Sequence, residues 1–596
     1  MIPERLARLR AEMKKRNIAV YVVPTADYHE SEYVGEHFKA RKYITGFTGS
    51  AGTAVVTMEE AGLWTDGRYF LQAAAQLEGT TVTLFRMGEE GVPTIPEYLA
   101  NVLKAGDVLG FDGRVINAAL GEQFAALAEK AGGSVYAEED LVGLIWEDRP
   151  PLPDKKVWVL PAEYAGKSAA DKIADVRAAM EKEGADVHLL TSLYDIAWLL
   201  NIRGGDIDYV PVVLSYLALT AERCLWFVRE EVLTPELREH LAQTGVETAP
   251  YEDFYGWAAA VPAGKKVLLD KKTCNTRLLR SLDGGVQVLD RANPTVLMRS
   301  MKNETELANT RAAHRKDAAA MIRFLRWLKT NVGKLPMTEI SAADYLAARR
   351  AEQEGFLGLS FATICGYGPH GAIIHYGATP ETDVPLKAEG LLLVDSGGHY
   401  LEGTTDITRT VALGPLTDEM KSVFTLVLRS HLQLANARFL HGCTGINLDV
   451  LARGPLWAVD MDYKHGTGHG IGHILNVHEG PNAFRWKVSP GRSEDAVLEE
   501  GMITSDEPGL YLEGKFGVRT ESELLCRKGA KNEFGQFMYF ENLTYVPIDL
   551  DAVDPDAMNE TEKGWLNAYH AMVYETMAPL LDEADRAWLK EATRAI

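Results

Sequence analysis

A chain of 596 residues is too long for one hydrophobic core and has room for two to four domains. Its 62 lysines and arginines against 84 aspartates and glutamates leave a net charge of −22, which argues against nucleic acid and anionic membrane surfaces as partners. The hydrophobic share of 46% and charged share of 24% are those of an ordinary globular protein, and no apolar run reaches the ~18 residues needed to span a bilayer. The five cysteines, Cys224, Cys274, Cys365, Cys443 and Cys526, are odd in number and widely spaced, with no CxxC. They read as reduced thiols of a cytoplasmic protein.

The opening "MIPERLARLRAEMKKRN" reads as a charged amphipathic helix rather than a signal peptide. "RAEMKKRNIAVYVV" (10–23) aligns without gaps with "RAAMEKEGADVHLL" (177–190), each a charged helix end, an Asn or Gly stop and an apolar strand. "YITGFTGS" (43–50) echoes "WLLNIRGG" (198–205). Two similar α/β domains in tandem, 1–150 and 151–297, account for this pattern, with "EDRPPLPDKK" (147–156) as the linker. Chance similarity is the alternative. A third region, 298–596, opens with a long helix over 303–332, where Asn303 and Glu306 have the spacing of a capping box. Leu307, Met321, Phe324 and Leu325 mark its buried stripe. The chain then turns Gly-rich and strand-like, and from about 548 it ends in an amphipathic helical extension suited to packing or oligomerisation.

The third region carries the unusual chemistry. "LLLVDSGGHYLEGTTDITRT" (391–410) reads as a hairpin that sets Asp395 and Asp406 near each other. "SDEPGLYLEGKFGVRTES" (505–522) is a second hairpin, turning at Glu513-Gly514-Lys515, with Glu507 and Glu521 on its arms. Between them "KHGTGHGIGHILNVHEGP" (464–481) supplies His465, His469, His473 and His478. Neighbouring buried carboxylates repel, so something positive must lie among them. Four carboxylates with an imidazole and no thiolate suit two hard divalent ions of the Mn²⁺ type. Two such ions sharing a water make a hydrolytic centre.

Blander readings remain. Either aspartate alone could be a strand-end turn cap, and composition alone leaves the histidines as core or surface residues. His465 and His469 have the four-residue spacing of a zincin helix, but Gly466, Gly468, Gly470 and Gly472 make a helix there implausible, and HExxH is absent. Nor do these glycines fit either phosphate-binding pattern.

The order Asp395, Asp406, His469, Glu507, Glu521 resembles the "pita-bread" metallopeptidases. "VDSGGHYLEGTTDITRT", "HGTGHGIGHILNVHEGP" and "EPGLYLEGKFGVRTES", with "FTGSAGTAVVT" and "LWTDGRYFLQAA" further upstream, resemble the three-domain, cytosolic type of aminopeptidase P within that family. The resemblance covers nearly the whole chain. It implies an α/β (α+β) chain of two creatinase-like N-terminal domains and a pita-bread catalytic domain. The implied activity is removal of the N-terminal residue from peptides with proline second, by a hydroxide bridging two metal ions, most plausibly Mn²⁺.

It also implies roles. Asp395 is a terminal ligand of one metal, His469 and Glu507 bind the other, and Asp406 and Glu521 bridge. Glu507 also handles the proton of the nucleophilic water. His375, in "PHGAIIHYG", and His478 contact the scissile peptide, with His469 and Glu507 also bordering the substrate. His465 has a supporting, proton-relaying place, and Arg68 reaches the substrate from the first domain. His473 has no counterpart in the family pattern and reads as supporting or structural. Creatinase lacks this ligand set, and non-catalytic relatives have lost ligands; all five are present here. The resemblance further implies a homodimer in the cytoplasm. Prolidase, confined to Xaa-Pro dipeptides, and a metal-free peptide-binding scaffold are the alternatives.

Overall fold

A computed structural model describes residues 1–487 and 495–596. The chain forms two compact units, one of Met1–Pro161 with Lys167–Thr295, the other of Ala162–Gly166 with Val296–Ile596.

The first unit holds two six-stranded sheets of the same strand order. One runs Thr83–Arg86, Ala61–Thr65, Thr53–Thr57, Ile18–Pro24, Val108–Phe111, Ser134–Tyr136. The other runs Val246–Ala249, Cys224–Val228, Ser215–Thr220, Val187–Leu190, Lys266–Leu269, Gln287–Asp290. Parallel and antiparallel pairings agree strand for strand. The aligned stops agree as well. Asn17 and Gly184 both take positive φ, 58° and 68°, where the opening helices Ile2–Lys15 and Ala169–Glu183 turn into strands. Gly46 and Asn201, a second aligned pair, cap short helices in the left-handed region. Only residues that tolerate this conformation could stand there. The "EDRPPLPDKK" stretch contains no helix or strand.

In the second unit the long helix spans Glu304–Asn331. Asn303 caps it by accepting from the Thr305 and Glu306 N–H groups, and Glu306 reaches back to the Asn303 N–H. Leu307, Met321, Phe324 and Leu325 are buried as the stripe requires. The first hairpin pairs Leu391–Ser396 with Ile407–Ala412, from Leu391 opposite Ala412 to Ser396 opposite Ile407. Ile364–Tyr367 flanks it on the other edge, with Ile364 opposite Asp395. The second hairpin forms two ladders in one register: Asp506 faces Ser522 in one and Gly509 faces Arg519 in the other. Glu507 and Glu521 therefore come opposite each other in the gap between them.

Two C-terminal helices, Glu560–Met577 and Glu583–Ala592, close this unit. Val573, Met577, Leu581 and Leu589 share one core with Phe324, Leu325, Leu392 and Val411. Each such side chain contributes about 1.5–3 kcal/mol by burial, so the tail is part of the core of this unit.

Candidate metal centre

Asp395 stands one residue before the end of its strand, and Asp406 immediately precedes the returning strand. Both are buried, as is Glu521. His469 lies in the short strand Gly468–Gly470, beside the strand that ends at Asp506. One oxygen each from Asp406 and Glu521 and one ring nitrogen of His469 lie within 4.8 Å of one another. The His469 Nε2 is 3.4 Å from Asp406 Oδ2 and 3.5 Å from Glu507 Oε1. Its Nδ1 lies 2.9 Å from the Gly470 carbonyl, which can only accept, so Nδ1 carries a proton and Nε2 faces the carboxylates.

Burial, reinforced by mutual repulsion, pushes the Asp406 and Glu521 carboxyls well above the usual carboxylate range. Burial also raises Glu507, against the pull of His469 and Arg519. Part of the positive charge demanded by the sequence is Arg519. Its Nη2 donates to Asp395 Oδ2 at 2.6 Å, Nη1 to the Tyr511 hydroxyl at 2.7 Å, and Nε to Thr408 Oγ1 at 3.2 Å. The Tyr511 hydroxyl in turn lies 2.9 Å from His465 Nε2. Thr408 Oγ1 donates to Glu521 Oε2 at 2.6 Å. Glu523 accepts the Asp406 N–H at 2.8 Å and pairs with His314 Nε2 at 3.0 Å. The sequence reading passed over Arg519, Tyr511, Thr408, Glu523 and His314. A signal existed for two of them: Arg519, Glu521 and Glu523 alternate along the chain, and alternate strand residues share a face.

One arginine does not settle four acids. Asp395 Oδ1, Asp406 Oδ1 and Glu521 Oε1 are buried with no hydrogen-bond partner among the described residues. A carboxylate oxygen withheld from both water and donors is costly. Buried carboxylates with bare oxygens, grouped with one imidazole nitrogen, are the donor set of a hard cation, and the residues present fit two divalent ions.

The His478 ring meets that of His469 edge-on, centroids 4.3 Å apart. His375 is half-buried on the turn after Gly368–Ala372, a segment whose neighbours Ile373 and Tyr376 pack with Ile364, Leu393 and Tyr511. His473 is buried, with Nδ1 3.4 Å from Thr310 Oγ1 on the long helix. Arg68 belongs to the first unit, where Asp66 holds its guanidinium by two bonds of 2.7 and 2.8 Å. The glycines around His469 also find a reason. A Cβ at Gly468 would collide with the Ser505 carbonyl oxygen, and one at Gly470 with that of Glu479. The strand bearing His469 is wedged between two others, which requires bare backbone.

Comparison with known proteins places this arrangement. Residues 308–528 match the family description of metallopeptidase family M24, and 536–596 match its C-terminal region. The chain belongs to metallopeptidase family M24. Residues 5–148 and 148–306 each match a creatinase/prolidase N-terminal domain, so two such domains precede the M24 catalytic domain, which has the pita-bread fold. The chain is 39% identical over 616 residues, covering 100% of it and 99% of the other, to "Probable Xaa-Pro aminopeptidase P" of Paracoccidioides brasiliensis (strain Pb03). To aminopeptidase P2 of Arabidopsis thaliana it is 38% identical over 635 residues, covering 100% and 89%. Among solved structures, an X-prolyl aminopeptidase from Caenorhabditis elegans, described as a cytosolic enzyme with a di-nuclear active site, superposes with a TM-score of 0.95 at 33% identity over 100% of both chains. A Xaa-Pro dipeptidase from Bacillus anthracis, 24% identical with a TM-score of 0.51, shares the fold across 64% of this chain and 99% of its own.

Proposed function

We propose that this chain is a metal-dependent aminopeptidase that releases the N-terminal residue from peptides with proline in the second position. The carrying observation is the cluster of buried Asp406 and Glu521 with half-buried His469, in which carboxylate oxygens meet no described donor. The full-length similarity to Xaa-Pro aminopeptidases supports the specificity.

Asp395, Asp406, His469, Glu507 and Glu521 would hold two divalent ions, Asp395 serving one, His469 and Glu507 the other, and Asp406 and Glu521 both. Two ions bound there supply Lewis acidity, activating water and polarising the scissile carbonyl. Glu507 takes the proton of the attacking water. His375 and His478 donate to the reacting peptide, where hydrogen bonds strengthen as charge develops. Arg519 orients Asp395, and His465 leads through Tyr511 to that arginine. Manganese is the metal this donor set favours, since it offers carboxylate oxygens and one imidazole but no thiolate.

The protein acts as a homodimer in the cytoplasm. Val450 and Trp457 are both exposed on one face of the helix Gly445–Trp457. Val459, Met461 and Trp486 are exposed beside them, and the Trp457 and Trp486 rings meet at 6.2 Å. Such an apolar patch is a contact surface for a second copy. The five cysteines are unpaired, and among the described residues no helix is long and apolar enough to cross a membrane. Light scattering should give twice the chain mass.

Release of free arginine from Arg-Pro-Pro, Arg-Ala-Pro and Arg-Pro with Mn²⁺ tests the specificity. Proline has no N–H, so a pocket shaped for its ring need supply no acceptor. Another residue there would bury an unpaired donor at about 1–3 kcal/mol, so Arg-Pro-Pro should be cleaved about 5- to 150-fold faster than Arg-Ala-Pro. It should also be cleaved at least as well as Arg-Pro. Activity confined to Arg-Pro would make the enzyme a prolidase. Purified protein without metal after Mn²⁺ incubation would make it a binding scaffold.

A further inference from the structure

His375 lies on a loop of the catalytic unit that has almost no regular structure, between the strand Ile364–Tyr367 and residue 385. A substrate-contacting side chain must be held to a fraction of an ångström. One carboxylate gathers the loop that carries it. Glu339, the first residue of the helix Glu339–Ala351, is fully buried. Its Oε1 accepts the Tyr367 N–H at 2.7 Å and lies 2.9 Å from His370 Nδ1. Its Oε2 accepts the Tyr376 hydroxyl at 2.8 Å. The His370 and Tyr376 rings stack at 4.4 Å. Thus one side chain binds the loop at its root, at its turn and at the residue next to His375. The loop's far end is tied to the same helix end: Asp383 Oδ1 accepts the Ile340 N–H at 3.1 Å, and the Val384 carbonyl accepts the Glu339 N–H at 3.3 Å.

The opposite side of the loop abuts the metal-site hairpin. A Cβ on Gly517 would collide with the Gly371 carbonyl, so the loop backbone lies directly on the strand that carries Arg519. Tyr376 shares a hydrophobic cluster with Leu393, two residues before Asp395, and Tyr511, the partner of Arg519, packs against that cluster. The loop is therefore clamped between Glu339 and the strands that bear the candidate ligands.

We infer that Glu339 is a positioning residue for catalysis, fixing His375 against the reacting peptide by gathering Tyr367, His370 and Tyr376 onto one buried carboxylate. The inference rests on the reading of His375 as a substrate contact. A glutamine in its place keeps the size but offers one acceptor where three donors converge, and adds donors of its own.

The test is a double-mutant cycle on the metal-loaded enzyme, read in kcat/KM for Arg-Pro-Pro and in metal content. Glu339→Gln should retain about two metals per chain, as wild type does, and lose about 10- to 100-fold in kcat/KM. His375→Ala should lose about 10²-fold. The double variant should lose no more than His375→Ala alone, because the clamp has nothing left to position. A double variant whose loss is the product of the two single losses overturns the positioning role while leaving His375 as a substrate contact. Wild-type turnover in His375→Ala overturns both. If Glu339→Gln does not fold, Tyr376→Phe removes one arm of the clamp and should show the same non-additivity with His375→Ala; multiplicative losses there are equally fatal.

Discussion

Asp317 and Asp406 are both buried carboxylates of the second unit. Asp317 receives Arg350 through two bonds of 2.6 and 3.1 Å and the Tyr400 hydroxyl at 2.7 Å. Its charge is answered by a guanidinium that is itself fully buried, and the group forms a closed structural pair. Asp406 stands among Asp395, Glu507 and Glu521, its carboxyl driven toward protonation, with an oxygen that no described donor reaches. The same fold thus neutralises one acid internally and leaves the other to a cation from solution. A buried acid is evidence of a metal site only when the protein has declined to pair it.

The sharpest way to break this contrast is Asp406→Asn. A bridging position must supply charge to both ions, which an amide cannot do. Both metals, or nearly all turnover, should be lost while the chain stays folded, since the amide relieves repulsion in the empty cluster. Metal analysis and kinetics on the same preparation decide it; two metals and normal turnover would remove Asp406 from the centre.

The second comparison is between two neighbouring histidines. His469→Ala should strip metal. His473→Ala should keep it, because His473 Nδ1 reaches Thr310 on the long helix. Loss of metal from the second variant alone would mean that the ligand had been misassigned.

Much of this was legible in the sequence, and the reasons differ by region. The tandem repeat could be read because its stops need special backbone: Asn17 with Gly184 and Gly46 with Asn201 keep positive φ after the surrounding side chains have diverged. The two hairpins could be read because turn residues and strand period fix the register, and the register alone brings Glu507 opposite Glu521. The environment of the acids could not. Arg519 touches Asp395 across 124 positions of chain, and His314 touches Glu523 across 209. Such pairs obey no local period. The glycines flanking His469 were visible, but their purpose, close passage between two strands, exists only in the folded sheet.

Asp317→Asn tests the other half of the contrast. It leaves the Arg350 guanidinium buried without its counter-charge, at a cost of about 3–5 kcal/mol. Urea denaturation should register that loss, whereas the metal content of the folded protein should not change. Metal loss without loss of stability would mean that Asp317 serves the centre and is not a separate structural pair.

The smallest effect expected is on pH dependence, and its sign follows from the direction of the shifts. Asp406, Glu507 and Glu521 are all raised in the folded protein above the roughly 4 expected of carboxylates in an unfolded chain. Without metal the folded state therefore holds more protons than the unfolded one. The stability this lends is complete below the unfolded value and is lost as pH climbs through the raised folded values. Divalent ions bind only the deprotonated cluster, so what is lost without metal is recovered with it. The increase in melting temperature on adding Mn²⁺ should thus grow between pH 5 and pH 8. Asp406→Asn should flatten the trend by removing one of the titrating groups and a bridging ligand together. A Mn²⁺-induced shift that stayed constant across this range would place the ions somewhere other than among these carboxylates.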